Sequence, residues 1–157
     1  MTQVLRARRR GRGFTLTELL VVVAILAMLA TVGVIQLLRA RIVTDEQLAL
    51  SSLRLVAKSA QFFFLVQQVY PTTLADLGPP TSDPPYIDES LRTGSPFPVK
   101  QGYAFVYNCP NPLSFTLNVN PQQHGVTGVR HFYVDQTFVI HATEANQDAG
   151  TSDPVIP

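Results

Sequence analysis

Tryptophan is absent and cysteine occurs once, at Cys109. A lone thiol forms no internal bridge, which excludes a disulfide-stapled scaffold. Charge is scarce, at 15% of residues against 46% apolar, too little for a chain bathed in water on every side. Histidine is confined to His124, His131 and His141, few ligands for a metal centre. No proline interrupts the chain between Phe14 and Pro71, so nothing there forbids one continuous helix. Acid is missing from the first 13 residues, which hold Arg6, Arg8, Arg9, Arg10 and Arg12. Beyond them seven basic residues meet eleven acidic ones, a net charge of −4. A net-acidic body argues against broad contact with a phosphate backbone, and no nucleic-acid partner is expected.

What the chain does hold is concentrated near its start. Between Leu19 and Leu38 only Thr31, Gly33 and Gln36 interrupt an apolar run of 20 residues. As a helix it is roughly 30 Å long, enough to cross the hydrocarbon core of a bilayer. Five arginines before the run against Arg39 and Arg41 behind it predict the N-terminus inside and the body outside. A secretory signal carries a small-residue cleavage site after its apolar stretch, and none follows Leu38. Glu18 stands at the entrance to the run, where an ionisable group is costly and usually has a task. A local account also exists: Thr15-Leu16-Thr17-Glu18 fits a capping box, with the acid favoured by the helix dipole.

The run Gly13-Phe14-Thr15-Leu16-Thr17-Glu18-Leu19-Leu20, with the aliphatic stretch behind it, resembles the type IV pilin and pseudopilin superfamily. Thr17 replaces a commonly aliphatic residue, and Ile35 lies where many pilins carry proline. The resemblance implies a prepilin peptidase that cuts between Gly13 and Phe14 and methylates the new N-terminal amine of Phe14. It also implies that Glu18 pairs with the N-terminal amine of a neighbouring subunit. The physics agrees with that pairing. Cleavage creates an amine that is cationic near neutral pH, and an unpaired carboxylate inside a filament core is very unfavourable. A neighbour's amine compensates it at only one axial offset, so the pair sets register.

After Leu38 the pattern turns amphipathic. Gln47, Ser51, Arg54, Lys58, Gln61 and Gln68 form a polar stripe, while Ile42, Ala49, Leu53, Val56, Ala60 and Phe63 form an apolar one. The helix is expected to run from Phe14 to about Val69, with Phe62, Phe63 and Phe64 wrapped on several sides. Residues 72–78 read as a capped single turn closed by Gly78. Pro79, Pro80, Pro84, Pro85, Pro96 and Pro98 mark a long irregular surface loop. Four strand candidates follow, at 103–107, 115–119, 129–135 and 138–142, the last two flanking a tight turn at Asp135-Gln136-Thr137. From Glu144 the chain is polar and is expected to fray.

The fold class is therefore α+β, a long N-terminal helix on a small antiparallel sheet, in the pilin-like layout. The expected divisions are a removed leader at 1–13, a transmembrane or filament-core helix at 14–38, its amphipathic continuation at 39–70, a globular body at 71–144 and a flexible tail at 145–157. No catalytic or cofactor-binding residues emerge. His131 and His141 fall on adjacent strands with Asp135 near the turn, yet a closed metal site lacks a placed third ligand. Cys109 has no sequence support as a nucleophile. Asp83, Asp88 and Glu89 sit in the proline-rich loop, and a calcium site there is a minor alternative to plain solvation.

The resemblance implies a structural subunit, not an enzyme, with two forms. One is a type II secretion pseudopilin aiding protein export. The other is a major or minor type IV pilus subunit for adhesion, motility or DNA uptake. Expected partners are copies of itself, other pilins or pseudopilins, the prepilin peptidase and an inner-membrane assembly platform. The expected place is the bacterial inner membrane, with the body in the periplasm, and then a filament. A membrane-anchored periplasmic enzyme or binding domain is the reading from a different class.

Overall fold

The computed structural model describes residues 13–94 and 97–156, and the backbone alone for 32–35. The arginine-rich leader before Gly13, and Pro96 of the proline-rich loop, lie outside the described residues. The chain divides into two units, residues 1–38 and 39–157.

Helix α1, Leu16–Gln67, supplies the described helical part of the first unit. Thr15 caps it, and its apolar run finds no core of its own: Leu19, Leu26 and Leu29 are 61%, 58% and 65% exposed. A helix apolar on all sides belongs in lipid or among other helices. This one is long and apolar enough to cross a membrane.

In the second unit the amphipathic half of α1 behaves as its spacing predicts. Ala49, Leu53, Val56, Ala60 and Phe63 are buried, while Gln47, Ser51, Arg54, Lys58 and Gln61 are exposed. The three phenylalanines divide differently from expectation. Phe63 enters the core, Phe64 stacks on Tyr70 with ring centroids 4.6 Å apart, and Phe62 stays exposed. The helix also stops earlier, because Gln68 takes a left-handed φ of 62° and its N–H reaches Phe64 O at 2.8 Å.

Six antiparallel strands lie side by side in sequence order: β1 (Val99–Lys100), β2 (Tyr103–Asn111), β3 (Ser114–Pro121), β4 (His131–Asp135), β5 (Ile140–Thr143) and β6 (Val155–Ile156). The four foreseen strands are β2 to β5. Pairing sets Phe105 opposite Val119, Leu117 opposite Val134 and Phe132 opposite Ala142. These residues share one core with Leu53, Val56 and Ala60 of the helix. Burying each such large side chain stabilises the fold by about 1.5–3 kcal/mol.

Two expectations need correction. The tail does not fray: Val155–Ile156 pairs with β5, and Ala149 is 4% exposed. Its polar residues find partners on the sheet, so low hydrophobicity did not mean low order. The proline-rich segment is also more than a surface loop. It contains the short helix α2, Glu89–Arg92, and sends Ile87 and Leu91 into the core. Ser59 of α1 donates to Tyr86 O at 3.2 Å across this contact.

The capped turn before it is a 3-10 turn at Leu74–Leu77. Asp76 Oδ2 accepts from the Thr73 backbone N–H at 2.8 Å and from Thr72 Oγ1 at 2.6 Å. Gly78 closes it, as expected, in extended backbone.

Candidate processing and assembly site

Glycine at position 13 and aromatic Phe14 precede the helix in non-helical chain. Phe14 is 83% exposed, and the space beside Gly13 is open. Among the described residues nothing packs over the peptide bond between them. Helix α1 begins two residues later, at Leu16.

Thr15 and Glu18 form a reciprocal cap at that start. The Thr15 backbone N–H donates to Glu18 Oε2 at 3.0 Å, and Thr15 Oγ1 donates to the same oxygen at 2.9 Å. In return the Glu18 N–H donates to Thr15 Oγ1 at 3.2 Å. The local role anticipated for this acid is therefore real. It also fixes the carboxylate beside the Phe14-Thr15 peptide, four residues along the chain from Phe14, whose amine cleavage would free.

Other candidates are dispersed. His131 and His141 lie on neighbouring strands but turn to different partners. His131 Nδ1 bonds Asn120 Oδ1 at 3.1 Å, and His141 Nδ1 bonds Asp153 O at 2.7 Å. Asp135 serves its own turn, where Oδ1 accepts from the Thr137 N–H at 2.9 Å and Thr137 Oγ1 at 2.6 Å. Cys109 is a free, half-buried thiol whose pKa is raised by burial and by the charge of Asp76. Asp88 faces Lys100 Nζ at 2.9 Å, and that cation holds its carboxyl below the usual range. Among the described residues no three His, Cys, Asp or Glu side chains converge as a metal site would require.

One charged residue of structural weight escaped the sequence reading. Glu46 is 6% exposed. Its Oε1 accepts the backbone N–H groups of Val129 and Arg130 at 2.8 and 3.1 Å, and its Oε2 accepts Arg130 Nε at 3.0 Å. The signal was present: Ile42, Glu46, Ala49 and Leu53 follow helical spacing, which puts an acid on the apolar stripe.

The family described as the prokaryotic N-terminal methylation motif matches residues 8–34. The chain is also 39% identical over 70 residues to the type II secretion system core protein G of Dickeya chrysanthemi. That alignment covers 45% of this chain and 46% of the relative, so it spans about half the length of each. No solved structure gives a significant match. The motif and this relative support assignment to the type IV pilin and pseudopilin superfamily.

Proposed function

We propose, from that assignment, that the chain is a structural subunit of a pilin-like filament, and specifically a pseudopilin of a type II secretion system. A pilin or pseudopilin role follows from the motif, and the secretion relative favours the narrower choice over a type IV pilus. The observation that carries the proposal is the junction itself. An open Gly13-Phe14 bond stands directly before a helix whose first turn holds Glu18 and whose next turns are apolar all round.

The arginine-rich leader keeps the N-terminus on the cytoplasmic side while α1 crosses the inner membrane and the body faces the periplasm. A prepilin peptidase removes residues 1–13 and methylates Phe14. The subunit then leaves lipid for the filament core, where its apolar side chains pack against neighbouring helices. Glu18, already oriented by Thr15, receives the amine of another subunit's Phe14 and so selects one axial offset. The role is structural, and no bond is made or broken by this chain.

Mass analysis of the chain extracted from membranes tests the first step. A mature N-terminus at methylated Phe14 is expected, and a retained Met1 overturns the reading. Glu18→Ala should be processed normally yet be missing from filaments. Secretion of folded substrates should fail in a deletion strain, whereas loss of surface filaments with secretion intact would mark a pilus subunit.

A further inference from the structure

Helix α1 carries two unlike surfaces at one level of the body. On one flank Ala57, Lys58 and Gln61 wall a cavity of about 250 Å³ together with Val134, Phe138 and Ile140. The sheet side of it is apolar, and no carboxylate lines it. Small-molecule pockets run to about 300–1,000 Å³, so this one is sized for a few side chains. Lys58 stands exposed beside it and forms no ion pair among the described residues. Phe138 enters the wall from a left-handed backbone, φ 61°, a conformation that costs an aromatic residue energy.

The other flank of α1 is covered by the proline-rich segment, residues 83–89. Ser59 holds it by donating to Tyr86 O, and Ile87 anchors it in the core. Ser59 lies roughly 150° round the helix from the centre of the stripe that lines the cavity. Asp83, Pro84, Pro85 and Tyr86 are exposed, as are Asp88 and Glu89. Lys100 occupies Asp88, but among the described residues Asp83 and Glu89 form no ion pair. Between cavity and segment, on the side away from the core, Leu55 and Phe62 are 43% and 58% exposed.

We propose that the acidic proline-rich segment of one copy seats in the cavity of a second copy, with Asp83 against Lys58. An acid without a cation there meets a cation without an acid. Pro84, Pro85 and Tyr86 follow Asp83 directly and supply apolar filling. The two prolines leave the segment little backbone freedom to lose on binding. Helices joined in this way lie side by side, and Leu55 and Phe62 are drawn out of water between them.

Because the two surfaces lie on different flanks, the contact is heterologous. Each copy that gives its segment to one neighbour still offers its cavity to another. Repetition of one such step yields an open array or a ring, whereas a patch that met itself would stop at a dimer. The contact rests on the filament reading and adds to it the pair of body surfaces through which neighbours touch.

Disulfide trapping of the full chain in membranes, on a Cys109→Ser background, tests it. A chain with Lys58→Cys and another with Asp83→Cys, produced together, should join as a dimer on mild oxidation. A chain holding both substitutions should give a ladder of multimers, and each single variant alone should stay monomeric. Lys58→Glu should cut the share of chain that pellets as multimers from mild detergent by about threefold to tenfold. Adding Asp83→Lys should restore that share, with the body melt unchanged throughout. If the mixed dimer is absent while the chain still pellets as multimers, the contact is overturned and the filament reading stands. Absence of multimers altogether overturns both. An unchanged multimer share in Lys58→Glu also overturns the contact.

Discussion

Replacing Glu46 by alanine removes an acceptor that three donors share, all from the segment entering β4. The Val129 and Arg130 backbone N–H groups lose their partner, and the Arg130 guanidinium loses its counter-charge. Breaking a buried ion pair from one side typically costs about 3–5 kcal/mol, because the other charge stays behind. Here the Arg130 side chain is 29% exposed and water reaches it, so the expected loss is smaller, about 2–4 kcal/mol. Glu46→Gln keeps an oxygen for the backbone donors but loses the charge and the acceptor for Arg130 Nε, so about 1–2 kcal/mol is expected. Urea unfolding in detergent micelles, followed by tyrosine near-ultraviolet circular dichroism, reads this cleanly. There is no tryptophan, and all five tyrosines fall between Tyr70 and Tyr133, inside the second unit. A loss below about 0.5 kcal/mol for Glu46→Ala, or equal losses for both variants, would refute the reasoning.

Three further outcomes follow from the same packing. Gly128→Ala should lower stability by about 2 kcal/mol or more in that urea assay, since a Cβ there collides with the buried Tyr103 ring and hydroxyl. Tyr103 and Tyr107 should stay un-ionised in an ultraviolet alkaline titration while the body is folded, because burial pushes both pKa values well above 10. That contribution is complete below about pH 10 and is lost as pH rises beyond it, so the body should unfold in strong alkali. Asp76→Ala should cost about 1 kcal/mol at neutral pH. Burial pushes the Asp76 carboxyl up, but hydrogen bonds from Thr72 and Thr73 outweigh it and hold the pKa low. The difference between variant and parent should therefore shrink as pH falls below about 4, a trend that thermal melts across pH would follow.

The sequence was most informative where one period dominated. The 3.6-residue stripe placed Ala49, Leu53, Val56, Ala60 and Phe63 inward, and alternation located β2 to β5. It failed where order comes from hydrogen bonds between distant polar residues. Asn118 and Asn120 meet Ala149 and Asp148 some 30 positions away, and no local pattern announces such pairs. Two-residue strands such as β1 and β6 are too short to show alternation at all. At the candidate site the position of Glu18 and its cap were both legible, because a capping box is purely local. Glu46 was overlooked because its three donors lie more than 80 residues downstream.

The two acids on α1 answer different demands, and their surroundings say which. Glu46 is enclosed, and its own chain supplies a cation and two backbone donors, so its charge is settled within one molecule. Glu18 is exposed in the single chain and is met by one threonine, without any cation among its described contacts. Water or lipid headgroups tolerate that arrangement at the membrane surface; a packed helical core does not. The buried core of the body begins at Ala49, and Glu18 is not part of it. A change at Glu18 is therefore expected to leave the stability of the body unaltered, whereas a change at Glu46 acts on it directly. On the proposed function, Glu18→Ala is expected to lose filament entry with an unaltered body melt, the signature of an acid whose partner is another subunit.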